Sequence, residues 1–138
     1  MELKLDRLSQ VARSCTDLKR AIAFYRDVLG VEFVAEFTPP GLACFRMGQT
    51  GLLIEANHSG EGAPANSVLY FAVEDIDAAY AELVARGVTF DSTPHLIFRD
   101  DEGVFGRRGS ELWMAFFKDP DGSVLAISEQ NRDLRRTG

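Results

Sequence analysis

Two oxygen-bearing side chains, Gln10 and Glu55, lie in short stretches that read as strands, QVARSC and TGLLIEA. Successive side chains of an extended chain point to opposite faces. Leu52 and Ile54 are the apolar set of the second stretch, so Leu53 and Glu55 face the other way. In the first stretch Gln10, Ala12 and Ser14 share one face, and Val11, Arg13 and Cys15 share the other. A glutamate on a concave face is costly to desolvate unless it is paired, protonated or bound to a cation. The chemistry on offer is cation binding or, for Glu55, proton transfer. A solvated strand end is the alternative reading of Glu55. Arg13 is the misfit of the apolar set; it must snorkel to an edge or find a carboxylate.

Three further stretches supply apolar surface. DPDGSVLAIS reads as a tight turn feeding a strand. Leu125 and Ile127 belong to its core face, and Val124, Ala126 and Ser128 to the opposite one. In VLYFAV, Leu69, Phe71 and Val73 are the more apolar set, which leaves Val68, Tyr70 and Ala72 opposite. ELWMAFF is apolar on both faces, with Leu112, Met114 and Phe116 on one and Trp113, Ala115 and Phe117 on the other. Such a run usually means core. A sheet with a helix on one side only leaves aromatic surface, here Trp113 and Tyr70, to a flat ligand.

The elements that position these residues occur twice. QVARSCTDLKRAIAFYRDVLGVEF and VLYFAVEDIDAAYAELVARGVTF each hold an extended run, an Asp, an amphipathic helix, a Gly and a second extended run. Leu18, Ala21, Ile22, Tyr25, Val28 and Leu29 make one helical stripe; Ile76, Ala79, Tyr80, Leu83 and Val84 make the other. Thr16 or Asp17 caps the first helix and Asp75 the second, while Gly30 and Gly87 stop them. TGLLIEA and DGSVLAI overlay at Gly51 and Gly122, and the second copy is longer by an insertion. That insertion fits RDDEGVFGRRGS, Arg99 to Ser110, a glycine-rich charged segment that reads as a mobile loop.

Each copy is thus strand, helix and three strands. The predicted fold is α+β, a single domain over 1–138 built from two tandem βαβββ modules that form a cleft. Module one spans about 8–56, a linker 57–66, and module two 67–129. His58 falls in that linker and is set aside as a candidate.

The chain has 138 residues, 46% hydrophobic and 26% charged, with a net charge of −6. That suffices for one buried core and argues against nucleic acid or anionic lipid as the main partner. No apolar run approaches the ~20 residues of a membrane span. MELKLDRLSQ lacks the apolar stretch of a signal peptide. The two cysteines, Cys15 and Cys44, read as reduced thiols of a cytoplasmic protein.

LSQVARSCTDLKRAIAFYRDVLGVEF, VEDIDAAYAELVARGVTF and FFKDPDGSVLAIS together resemble the vicinal oxygen chelate superfamily, over about Leu8 to Glu129. That group holds glyoxalase I, bleomycin-resistance proteins, extradiol dioxygenases, fosfomycin-resistance enzymes and methylmalonyl-CoA epimerase. The resemblance implies four inward positions for a divalent metal, which fall here on Gln10, Glu55, Val68 and Ala126. Two of the four are aliphatic and cannot ligate. A catalytic transition metal usually takes three protein ligands and an open position. A bound ion would therefore have to recruit His95 beside Gln10 and Glu55. A branch of relatives carries a similar PH…ELWMAFF run, which makes His95 and Glu111 a secondary pair. Two functions follow from the resemblance. One is a cofactor-free binding protein that holds a small, largely apolar or aromatic molecule through Gln10, Leu53, Val68, Tyr70, His95, Trp113 and Ala126. The other is a divalent-metal-dependent lyase, isomerase or dioxygenase. An enzyme without metal, with Glu55 or Glu111 as base, stays open beside them. The resemblance also implies a homodimer.

Overall fold

The computed structural model describes residues 2–56 and 66–132, the side chains of 131 and 132 excepted. Linker residues 57–65, His58 among them, lie outside the described residues. The chain forms two compact units. Of the described residues, the first unit holds those up to Ser67 and takes in Asp119–Ser123, and the second holds 68–118 and those from Val124 on. Each carries one four-stranded sheet and one helical element, the predicted tandem βαβββ plan.

In the first unit, β1 (Gln10–Cys15) leads into α1 (Leu18–Ala23). The helix ends in one wider, π-type turn over Phe24–Val28, closed by the Leu29 N–H donating to the Phe24 carbonyl at 3.0 Å. A meander follows: β2 (Glu32–Phe37), β3 (Leu42–Met47) and β4 (Thr50–Ala56). The sheet order is β1-β4-β3-β2, with β1 parallel to β4 and the other pairs antiparallel. Asp17, not Thr16, caps the helix by accepting the Arg20 N–H at 3.1 Å. Gly30 takes the left-handed conformation expected of the stop, φ 76°. Ala21, Ile22 and Tyr25 of the predicted stripe are buried against Cys15, Ala43, Phe45, Leu52 and Ile54. That is one face of the sheet. The opposite face carries Gln10, Ala12, Leu53 and Glu55, the phase read from alternation.

Arg13 resolves as the misfit that finds a carboxylate. It is 4% exposed, and its Nη2 lies 3.4 Å from Asp119 Oδ2. Tyr25 donates its hydroxyl to the same oxygen at 2.9 Å. The other oxygen, Oδ1, accepts the N–H groups of Asp121 and Ser123, both at 3.0 Å. The DPDG turn is thereby folded around one buried carboxylate whose lone pairs are all used, which is the condition for burying a charge. Burial, ahead of the nearby Asp119, holds the Tyr25 phenol well above its ordinary pKa, with Arg13 opposing.

In the second unit, β5 (Leu69–Ala72), α2 (Ile76–Ala85), β6 (His95–Asp100), β7 (Ser110–Lys118) and β8 (Val124–Arg132) give the order β5-β8-β7-β6. Asp75 caps α2 by accepting the Ala78 N–H at 3.2 Å. Gly87, at φ 95°, ends it, and the Val88 N–H returns to the Leu83 carbonyl at 2.9 Å. Ile76 of the helix and Ala115, Phe117, Leu125 and Ile127 of the sheet are buried, and the Tyr80, Phe90 and Phe117 rings meet in tilted contacts. Val84 departs from the predicted stripe and is exposed.

The insertion is shorter than its sequence suggested. Arg99, Asp100 and Ser110 belong to β6 and β7, which leaves 101–109 as the loop. Asp100, buried, ties it down: its two carboxylate oxygens accept the Val104 and Phe105 N–H groups, each at 2.8 Å. No helix among the described residues is long and apolar enough to cross a membrane.

Candidate functional site

Register decides which candidate residues can meet. On the first unit's open face, opposite its helix, Gln10 pairs with Gly51, Ala12 with Leu53, and Ser14 with Glu55. Gln10 and Glu55 are therefore four residues apart along the sheet, about 13 Å at the strand rise. Ala12 and Leu53 stand between them, and both Gln10 and Glu55 are exposed. The two donors that a metal would share are not neighbours, and Glu55 matches the solvated reading.

The same face holds a shallow groove of about 480 Å3. Gln10, Arg46, Cys44, Leu53, Val34 and the bare backbone of Gly51 line it. A bulge in β2 between Phe33 and Ala35 brings Ala35 opposite Cys44, so Val34 is the extra residue at the groove's edge.

On the second unit's open face the decisive residue is Ala126. It pairs with Tyr70 on one side and Phe116 on the other. The two rings meet edge-on above its methyl group, 6.2 Å between centroids and 82° between planes. Ala126 is consequently 0% exposed, although it belongs to the open face, while Tyr70 is 53% exposed. Ala126 is thus a floor and not a contact surface; only a side chain this small lets the rings close over it. His95 extends the platform. It pairs with Met114, its ring lies 6.2 Å from that of Phe116, and its Nδ1 is 3.2 Å from the Thr93 carbonyl. Ser128 lies opposite Met114 in the same row. Val68 precedes β5 and is half-buried.

Trp113 requires a correction. It alternates with Ala115 and Phe117, both buried under α2, and its cross-strand partner is Glu129. Glu129 faces that helix, since its Oε1 accepts the Ile76 N–H at 2.9 Å. Trp113 therefore belongs to the helix side, and Phe116 is the aromatic residue that β7 gives to the open face. Phe116, Met114 and Ser128 are the residues the sequence reading left out of its site. The signal was present: a five-residue turn over Asp119–Ser123 sets Lys118 against Val124, and hence Phe116 against Ala126.

Glu111 is likewise engaged elsewhere. It is 2% exposed. Its Oε2 accepts Arg99 Nη2 at 2.8 Å and Nε at 3.3 Å, and its Oε1 accepts Trp113 Nε1 at 2.8 Å. The carboxylate organises the ends of β6 and β7 and lies on Trp113's side of the sheet, so it has no path to a ligand on the open face.

Within either unit these residues do not fit a resident metal. In the first, the two oxygen donors are kept apart by register. In the second, the corresponding positions are a valine before the strand and a methyl under two rings. No group of three or more His, Cys, Asp or Glu among the described residues is placed to hold an ion.

Comparison with known proteins places this geometry. A protein of Bacillus subtilis strain 168, the uncharacterized YraH, is 28% identical over 133 residues, covering 88% of this chain and 96% of that one. Among solved structures, TnmS3, an antibiotic binding protein from Streptomyces, superposes with a TM-score of 0.70 at 20% identity, covering 94% of this chain and 99% of that one. A lactoylglutathione lyase from Agrobacterium tumefaciens gives a TM-score of 0.68 at 21% identity, covering 91% and 95%. At such identities the structural likenesses establish the fold. The model of the Glyoxalase/Bleomycin resistance protein/Dioxygenase superfamily matches residues 7–127, and to that superfamily this chain belongs.

Proposed function

We propose that this protein binds a small, largely apolar or aromatic organic molecule on the open face of its second unit's sheet, without a resident catalytic metal. The observation that carries the reading is Ala126, buried beneath the edge-on pair of Tyr70 and Phe116. A half-exposed aromatic platform occupies the place where the resemblance asks for an electron-pair donor. Flat apolar ligands gain from such rings both area and ring-on-ring geometry. His95, at the platform's edge, offers a polar group to fix orientation. Leu53 and Gln10 offer the same combination on the first unit's groove. The fold is compatible with this use, since TnmS3 is an antibiotic binding protein.

The competing reading is a lyase, isomerase or dioxygenase of the superfamily that depends on a divalent metal. The separation of Gln10 from Glu55 stands against it. We also propose a homodimer in the cytoplasm: the open faces leave Tyr70, Val34 and Phe37 exposed, and a second copy would cover part of that surface.

The experiment is a calorimetric titration with indole, 2-naphthamide and 2-naphthoate, beside elemental analysis of protein purified without chelator. Saturable binding is expected without stoichiometric metal. Tyr70→Ala and Phe116→Ala should each weaken 2-naphthamide binding by about tenfold, the scale of one lost aromatic contact. One equivalent of metal lost in Glu55→Ala, with no saturable aromatic binding, would overturn the proposal in favour of the enzyme.

A further inference from the structure

Gly51 sits between two donors. On one side its register partner is Gln10 in β1, and on the other it is Arg46 in β3. All three line the groove of the first unit. The strands carrying Gln10 and Arg46 are two strand spacings apart, about 10 Å. The residue between them contributes no side chain. A Cβ at position 51 would meet the Gln10 Cβ at 3.4 Å, so the missing methyl leaves a notch on Gln10's own face.

Arg46 is exposed and makes no ion pair among the described residues. Its other cross-strand neighbour is Glu32, and no salt bridge among the described residues joins the two. Arg7, hydrogen-bonded through Nη1 to Gln49 Oε1 at 3.3 Å, lines a separate depression that shares Gln49 with this groove. Away from the notch the lining turns apolar, through Leu53, Cys44 and Val34. Glu55 stands four residues further along β4, opposite Ser14. The face therefore carries Arg46 beside Glu32 at one end, is apolar in the middle and carries Glu55 at the other end.

We infer that the first unit's groove is a ligand surface of its own, one that takes a carboxylate carried on an apolar body, and that the notch over Gly51 receives the carboxylate. The Arg46 guanidinium and the Gln10 carboxamide N–H donate to its two oxygens, while the body lies along Leu53 and Val34. A guanidinium matches a carboxylate in charge and in its forked geometry. Glu55 repels the same group from the far end and so fixes the ligand's direction. Gln10, which the resemblance offered to a metal, becomes an anion donor here. The inference rests on the open sheet faces being ligand surfaces and adds the charge that the first unit's face selects.

The matched pair 2-naphthoate and 2-naphthamide tests it by calorimetry on the full chain. The native protein should prefer the carboxylate by about tenfold, the scale of one charge-assisted hydrogen-bonded pair, and rising salt should erode the preference. Arg46→Gln should abolish the preference and leave 2-naphthamide affinity within about threefold. Gly51→Ala, which fills the notch at an ordinary contact distance, should do the same. Unchanged thermal unfolding would show that both variants fold. Equal affinity for the two compounds in the native protein, or a preference that survives Arg46→Gln, overturns this inference and leaves the binding function standing. Binding of neither compound overturns both.

Discussion

Ala126 shows how one small side chain sets a surface. The edge-on contact of Tyr70 and Phe116 at 6.2 Å exists because nothing larger than a methyl group stands between their strands. Ala126→Leu would force the rings apart and leave the new side chain wedged beneath them. Overpacking of this kind costs about 1–3 kcal/mol. The expected outcome is a protein less stable by that amount in urea unfolding, with aromatic binding lost. A variant as stable as the native chain that still bound 2-naphthamide would show that the rings need no such floor. At the same scale, Glu111 shows that a candidate base can be disqualified by its partners: two donors from Arg99 and one from Trp113 already hold it.

At the scale of elements, the turn between β7 and β8 depends on one carboxylate. Asp119 receives Arg13, Tyr25 and two backbone N–H groups, and among the described residues Arg13 has no second carboxylate partner. Asp119→Ala strands a buried guanidinium, which costs about 3–5 kcal/mol. Asp119→Asn keeps the acceptor for the turn and should cost less. Denaturant unfolding of the two variants checks the order, and equal losses would mean that the charge at 119 is immaterial. The duplication, the cap at Asp75 and the first cap to within Thr16 or Asp17, the stops at Gly30 and Gly87 and the face of each of β1, β4, β5 and β8 were all legible in the sequence. Each follows from local alternation or helical period. The face of β7 was not, because Leu112, Met114 and Phe116 are as apolar as Trp113, Ala115 and Phe117. Alternation has no contrast to read in such a strand, and only pairing to β8 across the turn decides it. Register also dissolved the Gln10–Glu55 pair, since side-chain phase says which face a residue shares but not how far along it lies. Arg46 is not legible as a site residue, because a lone arginine in a strand carries no spacing signal.

For the whole molecule, the two thiols report on opposite sides of one sheet. Cys15 is buried under α1, and Cys44 lines the open groove. Burial first, then the carboxylates of Asp121, Asp17 and Asp119, pushes the Cys15 thiol from 9.0 up to about 11. Both Cys15 and Tyr25 hold their protons more tightly folded than unfolded. The stability this gives is complete below the unfolded pKa and is lost as pH rises through the folded one. Tm should therefore fall as pH climbs from about 9 to about 11, and Cys15→Ala should flatten part of the fall. A Tm that rose over that interval would contradict the assignment. At pH 8 a thiol reagent should modify Cys44 and spare Cys15 until the chain unfolds. The central claim is that an aromatic molecule lies on the platform over Ala126, and isotope-edited nuclear Overhauser contacts to bound 2-naphthamide test it most directly. The account expects contacts from the ligand to the rings of Tyr70, Phe116 and His95. A saturating ligand with contacts only to residues away from those three rings would contradict it.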